Sequence, residues 1–260
     1  FQETPGPAYN RESANRACRA WLFDPTTRYA HGILGDAIEA GGLAVEFPDG
    51  QIAEVRLDPD LVFEDRRARI VDVDGDGEDE ILVVRTNVNF GAALAVYAIS
   101  DGVLRLRAAA DPIGLSHRWL NPIGVADFDG DGRLEIAAVV TPHLAGDLTI
   151  YRESDGALVP VAAVPGYSNH VIGSRKQGMA AIWDVNGDGA DDIIVPSVGY
   201  RRVAIVTFAG GTARELGWID HDAFVATNIV VGLVSGVRAA VYGLSDGTVV
   251  VLPLEAIGDK

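Results

Sequence analysis

The sequence has a single cysteine, Cys18, among its 260 residues. An internal disulfide is therefore excluded, and the number of thiols does not distinguish an oxidising from a reducing compartment. The sequence has no run of 18 apolar residues, so it predicts no membrane-spanning helix. Basic residues are also few, with 21 Lys and Arg against 37 Asp and Glu and a formal net charge of -16. Because this charge repels a phosphate backbone, we expect no nucleic-acid partner.

Apolar residues make up 48% of the sequence and charged residues 22%, which is typical of a folded globular protein. From about residue 31, strand-like apolar runs alternate with clusters of Gly, Asp and Asn, and no long segment has helical spacing. We therefore expect an all-β domain over residues 31–260. Residues 1–30, with an apolar segment at 21–23, are predicted to form an arm that docks on it. The first residue, Phe1, fits a processed chain, and we expect a periplasmic or secreted protein.

An acidic segment of nine residues occurs three times, as loop 1 (72–80), loop 2 (127–135) and loop 3 (184–192). The loops begin 55 and 57 residues apart, and four short apolar runs make up each repeat. Such a repeat predicts a four-stranded sheet as the structural unit, and a β-propeller blade fits it best. Residues 33–57 and 228–254 resemble further blades without the acidic loop, which gives a small propeller of about five four-stranded blades.

Each loop has Asp or Asn at positions 1, 3 and 5, Gly at position 6 and Glu or Asp at position 9. Alternate oxygen side chains on a tightly turning backbone converge on one point, where a hard cation fits. Position 7 would supply only its backbone carbonyl, so its side chain can vary. Because all the donors are oxygen, calcium is preferred over zinc or copper, and the tighter octahedral geometry of magnesium disfavours that ion. The predicted ligands are Asp72, Asp74, Asp76, Glu78 and Glu80 in loop 1, Asp127, Asp129, Asp131, Arg133 and Glu135 in loop 2, and Asp184, Asn186, Asp188, Ala190 and Asp192 in loop 3.

Two alternatives to a calcium loop share part of this pattern. An EF-hand would need a bidentate Glu at position 12 followed by a helix, but that position holds Val83, Ala138 or Val195 inside β-rich runs. The EF-hand is therefore excluded. Ordinary Asp-Gly turns between strands would also have this composition. Three copies with the same ligand register favour a metal role, and the absence of a nearby base or nucleophile makes that role structural.

The loops and their spacing resemble FG-GAP or VCBS-type repeats, the calcium-binding propeller blades of integrin α-subunits and many bacterial extracellular proteins. The resemblance covers about residues 60–200. It implies three calcium ions, each held between the inner two strands of a blade, on the face opposite the one that usually binds ligands. The outer segments lack the acidic loop, and the chain is too short for the seven blades that many family members have.

The connections expected on the opposite face are rich in functional side chains, which would suit a carbohydrate or an anionic small molecule. The alternative, favoured by the usual behaviour of such residues, is that the aromatics and histidines are packing and turn-capping residues. The candidate ligand-binding residues are His31, His117, Arg118, Trp119, Asn121, His143, Asn169, His170, Arg175, Tyr200 and Arg201.

Three functions remain open from the sequence. The first is a calcium-stabilised binding module for a glycan, a peptide or a protein, which needs only loops on a rigid scaffold. The second is a lyase or hydrolase that uses His117, His143 or His170 as an acid or base, although no known catalytic spacing supports it. The third is a structural part of a larger surface assembly. A propeller can host all three roles, so the fold alone does not decide between them.

Overall fold

The computed structural model describes residues 4–5 and 17–254. The prediction of an all-β protein is confirmed, since the described residues contain no α-helix and the one complete helical element along them is a short 3₁₀ turn at Ala209–Gly211. Within residues 4–5 and 17–254, no helical segment has the length and apolar content of a membrane-spanning helix. In chain order the strands are β1 (Thr4–Pro5), β2 (Arg19–Thr26), β3 (Glu39–Glu46), β4 (Ile52–Arg56), β5 (Leu61–Phe63), β6 (Arg69–Val71), β7 (Glu80–Asn87), β8 (Gly91–Ser100), β9 (Val103–Ala109), β10 (Leu120–Ala126), β11 (Glu135–Val140), β12 (Asp147–Ser154), β13 (Ala157–Val164), β14 (Ala181–Trp183), β15 (Asp192–Pro196), β16 (Arg202–Thr207), β17 (Arg214–Asp220), β18 (Val230–Val234), β19 (Val237–Gly243) and β20 (Val249–Pro253).

The chain divides into two compact units. The first runs to Pro122 and includes Arg152–Val159, and the second comprises Ile123–Tyr151 and the chain from Pro160. The predicted arm at 1–30 is described at residues 4–5 and 17–30. Its described part contains β2, which pairs along its length with β3. The domain boundary at residue 30 stays a prediction.

In the first unit, β2, β3 and β4 form one antiparallel arrangement, and β7, β8 and β9 form another. Both β5 and β6 pair with β7, so they are two halves of one interrupted strand position. Leu43 of β3 and Ile81 of β7 are fully buried in the same core cluster. Strands β7 and β8 are buried on both faces, whereas β9 alternates between buried and exposed residues. Burial of both faces explains why β7 and β8 are nearly continuous apolar runs.

The interruption between β5 and β6 is held by a side chain. Asp65 is 2% exposed, and its Oδ2 accepts a hydrogen bond from the Val84 N–H at 3.0 Å, in place of a backbone carbonyl. The Arg69 guanidinium donates to the same oxygen at 2.6 Å. The preceding residue, Glu64, is fully buried. The interruption between β5 and β6 therefore brings two carboxyl groups, those of Glu64 and Asp65, into the interior of the first unit.

In the second unit, the sheet of β14 to β17 has a core on each face. Ile193 and Ala204 lie in one cluster with residues of β11 and β12, whereas Ile194 and Ile205 lie in another with residues of β19. Strand alternation produces this division, because neighbouring side chains point to opposite faces. The predicted apolar runs of the middle repeat correspond to β10 to β13, and the segment 228–254 forms the three-stranded sheet of β18, β19 and β20.

Candidate functional site

The three acidic loops each connect two antiparallel strands. Loop 1 lies between β6 and β7, loop 2 between β10 and β11, and loop 3 between β14 and β15. Position 9 of each loop is the first residue of the second strand. The predicted strand-to-strand connection is thus confirmed, and no helix follows the loops.

The three loops share one hydrogen-bond scheme. The position 1 carboxylate accepts from the backbone N–H groups of positions 4 and 6, position 3 accepts from position 5, and position 5 accepts from position 7. The carboxylate at position 9 reaches back to the N–H of position 2. These distances run from 2.6 to 3.2 Å. Glycine is required at positions 4 and 6, where φ lies between 73° and 93°. The same turn is therefore built three times from the same side chains.

The carboxylates of two loops converge closely. In loop 1, oxygens of Asp72, Asp74 and Glu80 lie within 4.8 Å of one another, and the same holds for Asp127, Asp129 and Glu135 in loop 2. Carboxylates this close repel one another unless a cation lies between them or beside them. Burial raises the pKa of Glu80 to about 7. The arrangement can hold a hard cation through oxygen donors, with the carbonyl at position 7 on the same turn.

Loop 3 carries an unsatisfied oxygen. Asp192 is fully buried, and its Oδ2 accepts from the Val185 N–H at 2.9 Å. Its Oδ1 is also buried and has no hydrogen-bond partner among the described residues. Burial raises the pKa of Asp192 to about 6. A buried carboxylate oxygen without a partner is costly, and a bound cation would satisfy it.

An arginine contacts loop 1. Arg107 of β9 donates from Nη2 to Asp74 Oδ2 at 2.5 Å and from Nη1 to Glu80 Oε1 at 2.9 Å. Its Nε lies 3.0 Å from Glu153 Oε2. Two predicted metal ligands are thus also ion-pair partners of Arg107, which sequence inspection missed because the arginine is 33 residues from Asp74.

A second group of polar residues lies in the first unit, around Glu64. His31 Nδ1 lies 2.5 Å from Glu64 Oε1, and the Thr86 hydroxyl donates to Oε2 at 2.8 Å. Burial raises the pKa of Glu64, and the hydrogen bond from His31 opposes that rise. If the imidazole donates its Nδ1–H to the carboxylate, Nε2 is the ring nitrogen that can accept a proton.

His117 lies beside His31, with ring centroids 5.1 Å apart. The Ser116 hydroxyl donates to the Val88 carbonyl at 2.8 Å, so it accepts from His117 Nδ1–H at 3.0 Å. This fixes the tautomer that leaves Nε2 as the acceptor. Tyr29 stacks on His117 at 4.9 Å and accepts its backbone N–H at 2.6 Å, and φ of His117 is 57°. The structure thus brings together two of the predicted histidines with oriented rings.

In the second unit, the predicted residues His143 and His170 also pair. His170 is fully buried, and its Nε2 donates to the Ser174 carbonyl at 2.9 Å. Its Nδ1 therefore accepts from His143 Nε2, also at 2.9 Å. Burial lowers the pKa of His170 to about 4, so the ring is neutral near pH 7. The Tyr200 hydroxyl donates to the His170 carbonyl at 2.8 Å.

The remaining predicted residues are divided between buried and exposed positions. Trp119 is 2% exposed and donates from Nε1 to the Glu64 carbonyl at 2.9 Å, so the packing alternative describes this side chain. Asn121 and Asn169 are also buried. Arg201 is exposed, and its guanidinium lies 4.3 Å from the centre of the Phe224 ring. Arg175 is exposed and Arg118 is half-buried. Whether any of them binds a ligand stays a prediction.

Sequence inspection missed the residues that orient the first-unit histidines, Tyr29, Glu64 and Thr86. One signal was present. The stretch Glu64-Asp65-Arg66-Arg67 places four consecutive charges between apolar residues of β5 and β6, where a continuous strand would be expected. Charged residues inside a buried strand position indicate a bulge or a functional site.

Comparisons with solved structures concern the fold. Rhamnogalacturonan lyase PL11 of Bacillus licheniformis is similar with a TM-score of 0.50, at 17% identity over 82% of this chain and 43% of the lyase. Rhamnogalacturonan lyase YesW gives 0.48, at 15% identity over 88% of this chain and 45% of its own. The WD40 domain of Toxoplasma gondii coronin gives a TM-score of 0.47, at 14% identity over 89% of this chain and 55% of the coronin chain. This chain spans less than half the length of the two lyases.

A search of curated protein sequences returned no match. A family description of the FG-GAP-like repeat matches residues 72–138 and 127–195. Each match begins at position 1 of an acidic loop and extends beyond the next loop, and together they cover slightly less than half of the chain. The predicted family resemblance is confirmed by these matches, and residues 72–195, which contain all three acidic loops, consist of FG-GAP-like repeats.

Proposed function

We propose that this chain is a calcium-stabilised β-propeller module of a periplasmic or secreted protein, and that it binds a glycan, a peptide or a protein. The observation that carries the calcium role is the hydrogen-bond scheme shared by the three loops. It holds acidic side chains in one register on three separate turns. Turns that only reverse the chain need neither this register nor a buried carboxylate at position 9.

The donor set fits calcium. All the candidate ligands are carboxylate, amide or backbone oxygens, which a hard cation prefers. Two loops bring three carboxylates within 4.8 Å, and loop 3 contributes the unsatisfied Asp192 Oδ1. A bound calcium ion would neutralise each cluster. The loop residues would then tie together the two strands that each loop connects.

The propeller proposal rests on the FG-GAP-like repeats and on the repeated sheets. Strands β10 to β13 and β14 to β17 are four-stranded units that each contain one acidic loop. The set β6 to β9 is a third such unit. The sheets of β2 to β4 and of β18 to β20 would complete about five blades, without acidic loops.

Calcium titration of the chelator-treated protein tests the metal proposal. We expect three bound ions, and a crystal grown in calcium should give anomalous peaks at the three loops. Dissociation constants of about 10⁻⁴ to 10⁻³ M are typical of extracellular modules, so values in that range would support the proposed location. A titration without calcium binding, or peaks elsewhere than in the loops, would contradict the proposal.

A second candidate function is acid–base catalysis in the first unit. The specific observation is the His31–Glu64 contact beside His117, because a carboxylate that orients an imidazole is a common arrangement of a general base. A lyase would use such a base to take a proton next to a carboxylate, while the leaving group departs from the adjacent carbon. Rhamnogalacturonan, the substrate named for two of the structural neighbours, is the first polysaccharide to test.

The assay should compare the wild-type chain with His31→Gln and His117→Gln. Product formation by the wild-type chain that falls at least about 100-fold in both variants, with unchanged folding, would support catalysis, since a general base contributes about 10²–10⁴-fold. Arg105→Gln is the control, since that exposed side chain belongs to the first unit and lies outside the predicted ligand-binding residues. No turnover on this substrate would leave the binding module as the proposed function.

A further inference from the structure

A pocket of about 200 Å³ lies in the first unit, beside the start of β3. Leu34 and Ile38 form its apolar wall. The other lining residues carry charge, and none of them belongs to an acidic loop. They are Asp36, Glu39, Asp65 and Arg66.

Glu39 is the unusual member of this pocket. It is 3% exposed, and its carboxyl group has no hydrogen bond or ion pair among residues 17–254. Burial and the nearby carboxyl groups of Glu64, Asp36 and Asp65 raise the pKa of Glu39 to about 9. The group is therefore a neutral acid near pH 7. A buried carboxyl without a partner is costly, and such groups are concentrated at functional sites.

The neighbouring carboxyl groups already have partners. Asp65 is paired with Arg69 and with the Val84 N–H. Glu64 accepts from His31 and Thr86. The unmatched groups are thus Glu39 and the Arg66 guanidinium, which makes no ion pair in the described part of the chain.

A metal ion does not fit this arrangement. The pocket carboxylates do not form a group of three within 4.8 Å among the described residues, in contrast to loops 1 and 2. The volume also exceeds the need of a single ion, because a cavity of about 150 Å³ accepts a molecule as large as benzene. One unmatched acid, one unmatched cation and an apolar wall are complementary to a short organic zwitterion.

We propose that this pocket binds a small amino acid, with its ammonium group at Glu39 and Asp36 and its carboxylate at Arg66. The ammonium would donate charge-assisted hydrogen bonds, and the guanidinium would bind the carboxylate through its fork of donors. The carbon chain between them would lie along Leu34 and Ile38. This site is independent of the calcium loops.

The test uses the calcium-saturated full chain and a calorimetric titration. The ligands are glycine, 4-aminobutyrate and 6-aminohexanoate, with butylamine and butyrate as single-charge analogues. We expect at least one amino acid to bind about tenfold or more tightly than either analogue, since a hydrogen bond to a charged group supplies that much. Binding should release a proton as Glu39 ionises, which titration in two buffers of different ionisation enthalpy measures.

Two variants separate the two ends of the ligand. Glu39→Gln should reduce the affinity for the amino acid to about that for butyrate and abolish proton release, and Arg66→Gln should reduce it to about that for butylamine. Gln resembles the neutral acid, so Glu39→Gln should melt no lower than the wild type at pH 8. Arg66 is only partly buried, and its variant tests the site even if Glu39→Gln fails to fold. If no ligand binds, if all five bind equally, or if neither variant changes affinity, the proposal is wrong.

Discussion

Loops 1 and 3 have the same backbone hydrogen bonds, but they differ in what lies beside their position 9 carboxylate. In loop 1, Glu80 Oε1 accepts a hydrogen bond from Arg107 Nη1 at 2.9 Å. In loop 3, the Asp192 side chain is one methylene shorter than that of Glu80, and its Oδ1 has no hydrogen-bond partner among the described residues. The same motif is therefore stabilised by a protein cation in one case and lacks one in the other.

This difference follows from the strand that ends each sheet. Arg107 lies on β9, the strand that ends the sheet of loop 1. The strand that ends the sheet of loop 3 is β17, which forms no ion pair with that loop in the described part of the chain. A local motif thus determines the turn, whereas a residue distant in sequence determines its electrostatic environment. We infer that loop 3 depends more strongly on calcium than loop 1 does.

Calcium removal should have the largest effect. A ligand at 100 times its Kd stabilises the native state by about 2.7 kcal/mol per site. For a chain of this size, that corresponds to about 5–10 °C in Tm per loop. We therefore expect excess chelator to lower Tm by at least this amount. The double variant Asp127→Ala with Asp184→Ala should lose most of the response to calcium.

The control for this experiment is Asp111→Ala, which removes an exposed carboxylate outside the loops. It should keep the full difference between the calcium and chelator melting curves. If the double variant melted like the wild-type chain in saturating calcium, the structural role of the ion would be wrong.

The free energy of unfolding at low pH depends on the protonation of His170 as well as on the carboxylates of the loops. The contribution of His170 must therefore be measured before the loops are compared at low pH. Its pKa is about 6.5 when unfolded and about 4 in the folded chain, so below pH 6.5 the unfolded state binds a proton that the native state does not. Its contribution to stability is complete above pH 6.5 and is lost as the pH falls towards 4. The loss amounts to about 3 kcal/mol.

His170→Gln should therefore flatten the decline in stability between pH 6.5 and pH 4, as measured by urea unfolding at several pH values. His221→Gln is the comparison, since burial lowers the pKa of this less buried histidine in the same direction. It should flatten the curve less. An unchanged slope in His170→Gln would show that the folded state accepts the proton at no cost.

Arg107→Gln should make loop 1 behave like loop 3. Removing the guanidinium leaves Asp74 and Glu80 without their cation, so the calcium-free protein should lose about 1–2 kcal/mol. Calcium should restore most of this loss, so the gap between the calcium and chelator values of Tm becomes wider. Arg105→Gln removes an exposed arginine from the same strand and should leave the gap unchanged. A narrower gap in Arg107→Gln would mean that Arg107 assists calcium binding.

The features predicted from sequence are the local ones. The three turns, their flanking strands and the glycines at positive φ follow from nine consecutive residues, whose spacing determines which oxygens and N–H groups can meet. The FG-GAP-like repeat was identified for the same reason. Patterns of this kind need no knowledge of long-range contacts.

The contacts that sequence reasoning missed join distant residues. His31 meets Glu64 across 33 positions, and His117 meets Tyr29 across 88. The sequence around Trp119 is compatible with either a ligand-binding or a packing role. Only the folded chain shows that its indole is buried and donates to the Glu64 carbonyl. Polar residues in strand connections can be recognised from sequence, but the partners that orient them depend on the order of strands in the sheets.

The smallest expected effect comes from changing the third position of loop 3. Asn186 is the single amide among the position 3 residues, and its Nδ2 donates to Asp188 Oδ2 at 2.8 Å. Asn186→Asp replaces this hydrogen bond by repulsion between carboxylates. We therefore expect the free energy of unfolding in chelator to fall by about 0.5–1 kcal/mol, with a corresponding decrease in Tm. In calcium the added carboxylate becomes a ligand, so Tm should return to at least the wild-type value.

Gln51→Glu provides the matched control for Asn186→Asp. The Gln51 amide donates to Asp49 Oδ2 at 2.9 Å, which is the same contact between residues two apart in an exposed turn without an acidic loop. Gln51→Glu should therefore lower Tm equally in calcium and in chelator. A calcium-dependent recovery in Asn186→Asp alone would assign the effect to metal binding in loop 3. Equal losses in both variants under both conditions would mean that position 3 of this loop acts only through the turn.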